Sequence, residues 1–107
     1  MLTLLMALAL NVQDAEPVSP GACRVAAENF LEALPRIRAA IEKDPDNSPS
    51  AREGLLKMLD ADLAVAQRVK ALHGAAPPDK KPLAGMRGSQ QVDYMHRCDP
   101  NPREAAN

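Results

Sequence analysis

Side chains that bind soft metals gather near the C-terminus of the chain. Met86, Met95, His96 and Cys98 lie in one short stretch, and His73 precedes it. Thioether, imidazole and thiolate groups are ligands of copper and zinc, so binding of copper or zinc is the alternative function that the sequence predicts. His96 and Cys98 lack the paired spacings of sequence-defined metal sites and would leave different faces of a helix. We therefore favour no metal and no cofactor, with Met95 in the core, His96 in solvent and His73 as a charge near a helix end.

Groups that could perform catalysis are also dispersed. Asp93, His96 and Cys98 would have to converge to form an activated thiol, but a helix spreads them over different faces. Asp60 and Asp62 meet the same objection, and we expect them on a solvated charged face. The sequence contains no glycine-rich phosphate loop, no nucleophile elbow and no H-E-x-x-H motif. These observations predict a protein that is not an enzyme and has no catalytic residues.

The first ten residues are an apolar run at the start of the chain. At about 1.5 Å per residue, such a helix is too short to cross a hydrocarbon core of about 30 Å. We interpret residues 1–15 as a signal peptide cleaved near Ala15, although no basic residue precedes the run. The expected location is periplasmic or extracellular. A first core helix of a cytosolic protein and a lipoprotein acylated at Cys23 are the alternatives.

Charge and aromatic content restrict the class of partner. The chain has 13 basic and 14 acidic residues, and removal of the signal, which contains Asp14, leaves the two signs equal. A near-neutral protein lacks the basic excess that attracts nucleic acid. Phe30 and Tyr94 are its only aromatic residues, so rings for stacking on bases or sugars are scarce. We expect no nucleic-acid partner.

Apolar spacing predicts helices at about 22–43, 50–73 and 89–98, with a proline- and glycine-rich loop at 75–88. The first helix is expected to be kinked at Pro35, with a break into two helices at Leu34 as the alternative. Ser50 with Glu53 fits a capping box for the second helix, and Ser89 a cap for the third. The seam of the first helix is Cys23, Ala27, Phe30, Leu34, Ile37 and Ile41; the stripe of the second is Leu55, Leu56, Leu59, Leu63, Ala66, Val69 and Leu72, with Met58 and Val65 at its margin.

A short connection makes the two long helices antiparallel, so the third helix can return Cys98 to Cys23. An even cysteine count and an exported context then predict an intramolecular disulfide. Free thiols, intermolecular pairing, or a metal held by Cys98 with His96 are the alternatives.

Together these features predict one small all-α domain over residues 16–107: an antiparallel hairpin plus a short third helix tied back by the disulfide. We expect an exported interaction or accessory module acting on another exported or envelope protein. The leading contact surface is the loop 75–88 with the exposed side of the hairpin, and the ligand identity is left open. No stable membrane span is expected, and pairing with a second copy is left open.

Overall fold

A computed structural model describes residues 17–101, and this part of the chain is helical without strands. Helix α1 spans Pro20–Lys43, α2 spans Pro49–His73 and α3 spans Gly88–Arg97, with a 3₁₀ turn at Lys81–Leu83 before α3. The predicted all-α hairpin with a third helix is confirmed. The signal peptide predicted at the start of the chain lies outside the described residues.

Ion pairs between α1 and α2 show the antiparallel register of the hairpin. Glu28 lies 4.0 Å from Lys70, and Arg38 lies 3.0 Å from Asp60. Close to the connection, the Arg52 guanidinium donates to two backbone carbonyls of the turn, at 3.1 and 3.4 Å. Exposed ion pairs contribute little free energy, so they mark the register that apolar packing creates.

Serine caps followed by proline start both long helices. The Ser19 hydroxyl accepts from the backbone N–H of the third residue after it at 3.3 Å, and Ser48 makes the corresponding bond at 3.1 Å. Proline suits the next position because its missing N–H has no intrahelical partner there. The capping box predicted at Ser50 is therefore wrong: α2 begins earlier, where Ser48 meets Pro49.

The N-terminus of α3 also differs from the prediction. Arg87, rather than Ser89, is the N-cap residue. The Gln90 side chain turns back and accepts from the Arg87 N–H at 2.8 Å. This bond fixes the start of α3 without a serine cap. At the other end, Cys98 is the C-cap residue instead of the last helical one.

Helix α1 passes through Pro35 as one continuous helix. Proline cannot donate to the carbonyl of Leu31, and its interior position costs about 3 kcal/mol in an isolated helix. Leu34 before Pro35 and Ile37 after it both pack against the hydrophobic core, and this packing favours a continuous helix. The alternative of two helices broken at Leu34 is wrong.

The core lies at one end of the hairpin. Helix α3 and the segment that connects α2 to α3 cover this end. At that end the seam of α1 is buried, whereas Leu34, Ile37 and Ile41 are only half-buried. These three residues pack against the edge of the core, and Ile37 lies near the start of α3. On α2, Leu55 and Leu72 are exposed and Val65 is buried, which reverses their predicted roles. The buried apolar residues are Ala22, Cys23, Val25, Ala26, Ala27, Phe30, Leu59, Val65, Ala66, Val69, Leu83, Tyr94, Met95 and Cys98.

The connection between α2 and α3 packs closely against the start of α1. Leu83 is buried in the core, and the Ser19 hydroxyl donates to the Asp79 carboxylate at 3.1 Å. The carbonyl of Pro77 lies where a Cβ on Gly21 would clash with it. Glycine at position 21 therefore permits this close approach.

Within residues 17–101, none of the helices combines the length and the apolarity that a membrane crossing requires.

Candidate functional site

The predicted disulfide between Cys23 and Cys98 is confirmed. Their Cα atoms lie 5.8 Å apart, and the bridge joins the first turn of α1 to the end of α3. Both cysteines are buried. With both sulfurs engaged, the bridge acts as a structural link, and the oxidised chain has no thiolate available as a nucleophile or ligand.

Two further contacts hold α3 against the hairpin. The Tyr94 hydroxyl accepts from the Ser19 backbone N–H at 2.9 Å. The Arg68 guanidinium donates twice to the Asp99 carboxylate, at 2.7 and 3.0 Å, and the Asp99 side chain is only 2% exposed. These hydrogen bonds hold the pKa of Asp99 below its usual range and raise the pKa of Arg68.

His96 is not in solvent, which corrects the prediction. Its side chain is 14% exposed, and its Nε2 lies 2.6 Å from an oxygen of Asp62 on α2. Because a carboxylate only accepts, Nε2–H is the donor. The Nδ1 atom is buried and has no hydrogen-bond partner within residues 17–101. Asp62 is therefore part of a contact between helices instead of a solvated charged face.

The soft-metal donors are placed apart from one another. Met95 is fully buried in the core, as expected, Cys98 is in the disulfide, and Met86 packs against the core from the connection. His96 contacts α2 near Asp62, whereas His73 lies roughly 16 Å further along that helix. Among residues 17–101, no three His, Cys, Asp or Glu side chains form a metal-sized cluster. Copper or zinc binding therefore stays an untested prediction, and residues 17–101 do not bring its predicted ligands together at one site.

A groove opens between α1, α2 and the first turns of α3. Its volume is about 500 Å³. Apolar side chains from all three helices form its floor, and Met58 on its edge is 65% exposed. Acidic and polar side chains stand along the α3 side. The groove is lined by Phe30, Ile37, Met58, Leu59, Asp62, Ser89, Val92, Asp93 and His96.

Apolar surface continues beyond this groove in two directions. A smaller groove of about 320 Å³ on the other side of α3 shares Phe30, Ile37 and Val92 with it. Toward the hairpin turn, Leu55 is 38% exposed one helical turn before Met58. We name the surface formed by Phe30, Ile37, Leu55, Met58 and Val92 the groove face.

The loop 75–88, which the sequence favoured as a contact surface, has a different character. Its leucine, Leu83, is buried, and Met86 is half-buried. Three large apolar side chains are exposed in the described chain, namely Leu55, Met58 and Leu72, and all three are on α2. The predicted role of the exposed side of the hairpin thus has more apolar surface to support it than the role of the loop.

Sequence reasoning missed the groove and the pairing of His96 with Asp62. The two partners are 34 positions apart, and nothing local to either residue indicates the other. The available signal for the groove was the width of the apolar stripe on α2. A stripe that includes both Leu55 and Met58 is wider than one facing helix covers.

Comparison with protein-family models, with curated proteins and with solved structures finds no match to this chain. The site is therefore interpreted from its own chemistry. An open apolar floor bordered by carboxylates is suited to binding a partner surface that is apolar and carries positive charge.

Proposed function

We propose that this protein is a small exported helical module that binds another exported or envelope protein through the groove face. The observation that carries the proposal is the adjacent exposure of Leu55 and Met58 beside the groove. Exposing large apolar side chains to water is unfavourable, and a patch bordered by polar groups is typical of an interaction site.

The groove face combines a rigid floor with a flexible edge. Phe30 and Leu59 are held in the core, while the unbranched thioether side chain of Met58 can adjust to the shape of a partner. Both aromatic residues of the chain, Phe30 and Tyr94, are buried. The affinity would therefore depend on aliphatic contacts and on charge complementarity at the rim, without exposed aromatic anchors.

Two observations support export. The apolar run over residues 1–10 has the character of a signal sequence. The intramolecular disulfide is typical of oxidising compartments and is compatible with an exported protein. The expected mature chain begins between Asn11 and Cys23 and carries no lipid, which intact-mass measurement of exported protein tests directly. A retained Met1 or an acyl mass on Cys23 would contradict export in this form.

Site-specific photo-cross-linking in cells that express the protein tests the interaction. A photoreactive amino acid at Leu55 should yield a discrete adduct with an envelope protein, and the added substitution Met58→Glu should abolish the adduct. The matched control is Leu72→Glu, because Leu72 is 56% exposed on the same helix but lies at its other end. Equal adduct yields for both glutamate variants would refute a role for the groove face.

A further inference from the structure

Apart from His96, the ionisable residues that line the groove are acidic. Asp62 and Asp93 both contribute to its wall, and its lining within residues 17–101 includes no Lys or Arg. His96 balances Asp62 only when the imidazole is protonated. Asp93 is exposed, so its carboxylate is available to an approaching group. A cationic group would therefore be attracted to the α3 side of the groove.

The shape of the groove face suits an elongated occupant. Helix α3 starts at the level of Ile37 and Met58, which line the groove together with Ser89. Beyond that level, toward the turn, none of the helices formed by residues 17–101 lies above the hairpin. The uncovered part of α2, from Pro49 to Met58, measures roughly 14 Å at the rise of an α-helix. A helix of a few turns, placed in line with α3, would cover it.

We infer that the groove face binds an amphipathic helix of the partner, with its apolar side against Ile37, Leu55 and Met58 and a Lys or Arg beside Asp93 and Asp62. This inference rests on the proposed function and specifies the chemistry of the partner. Apolar anchors at i, i+3 or i+4, and i+7 would enter the groove, as in other helix-in-groove complexes. The cationic residue sets the position of the helix and its selectivity.

Charge complementarity favours this occupant over a second copy of the chain. In a symmetric pair, the same surface of each copy faces its equivalent. Each copy would then present Asp62 and Asp93 to a groove whose lining within residues 17–101 has the same two carboxylates and no Lys or Arg. Self-pairing through the groove would bring together like charges, whereas a basic helix supplies the opposite sign.

A designed peptide provides the test. The probe is a fluorescent amphipathic peptide of Leu, Ala and Lys, about 16 residues or roughly 24 Å long as a helix. Its matched control has Glu in place of every Lys. Fluorescence anisotropy with the oxidised mature protein at physiological salt should show that the Lys peptide binds at least about 10-fold more tightly than the Glu peptide.

Variants of the protein locate the contact. Asp93→Asn should weaken binding of the Lys peptide by roughly 3- to 10-fold, and Met58→Glu should abolish it. Asp46→Asn removes the same charge from the exposed hairpin turn and should change binding less than about 2-fold. In spectra of the protein with isotope-labelled methionine methyl groups, the Met58 signal should shift on titration, whereas that of Met86, in the connection before α3, should not.

The outcomes separate this inference from the proposed function. Equal binding of the Lys and Glu peptides, or equal effects of Asp93→Asn and Asp46→Asn on binding, would refute the inference that the occupant is a basic helix. The proposed function as an interaction module would still hold if Met58→Glu abolished the cross-link formed from position 55. A Met58-dependent dimer in sedimentation experiments would identify a second copy as the occupant. Displacement of the peptide by a monomeric alkylammonium ion would identify a small amphiphile as the occupant. Either result would also overturn the inference.

Discussion

Reduction of the Cys23–Cys98 disulfide is expected to lower the free energy of unfolding by about 4.5 kcal/mol. The bridge links residues 75 positions apart, and the entropy that such a link removes from the unfolded chain grows with the logarithm of the loop length. A loss of this size is a large fraction of the stability of an ordinary small domain, about 5 to 15 kcal/mol.

The folded state should keep its arrangement when the bridge is absent. Tyr94 remains bonded to Ser19, Arg68 to Asp99, and α3 retains its apolar contacts with both long helices. The effect of reduction should therefore come from the unfolded chain, which gains conformational freedom. A variant with alanine at both cysteine positions should behave like the reduced protein, apart from a small loss of packing at two buried sites.

Urea unfolding of the oxidised protein, the reduced protein and the double alanine variant measures this effect. Far-ultraviolet circular dichroism reports all helices, and Tyr94, the single tyrosine in a chain without tryptophan, reports the docking of α3 by its fluorescence. We expect the two signals to change together in every form, with the midpoint lowered by reduction. A stability difference below about 1 kcal/mol would refute the loop-closure argument. Earlier loss of the Tyr94 signal in the reduced protein would show that α3 depends on the bridge.

Three further predictions concern contacts around α3 and the start of α1. Gly21→Ala should destabilise the protein by about 1 to 3 kcal/mol because the added Cβ meets the Pro77 carbonyl. Its control, Gly54→Ala, has open space around an exposed helical position and should stabilise the protein by about 0.5 to 1 kcal/mol. Equal shifts of the melting temperature in the two variants would contradict the close approach at position 21. Asp99→Asn should destabilise at neutral pH. Because the pKa of Asp99 is lowered in the folded state, its contribution is present above the unfolded-state pKa and is lost as pH falls through the folded-state pKa. The stability gap between wild type and variant in urea should therefore close in acid, and a gap independent of pH would count against the ion pair. Tyr94→Phe should cost about 1 to 2 kcal/mol by leaving a backbone N–H without its acceptor, and an unchanged melting temperature would mean that water replaces the hydroxyl.

The fold was largely predictable because its signals are local or follow from simple topology. Apolar residues at helical spacing placed both long helices, and the turn residues between them placed the connection. The errors at the helix ends were small: Ser48 and Ser50 are both plausible caps by type, and the proline after Ser48 decides between them. The disulfide followed from the antiparallel arrangement, which brings the start of α1 near the end of α3.

Tertiary structure alone decided which parts of the apolar seams are buried. Phe30 and Ile37 occupy equivalent positions on α1 and both line the groove, yet Phe30 is buried and Ile37 is only half-buried. The pairing of His96 with Asp62 likewise depends on where α3 crosses α2. The sequence by itself determined the helices and the covalent link, because backbone hydrogen bonding and chain connectivity act over short distances or through fixed topology. The groove and its acidic wall depend on the placement of a short helix after a long connection, and that placement is settled by packing among residues far apart in the chain.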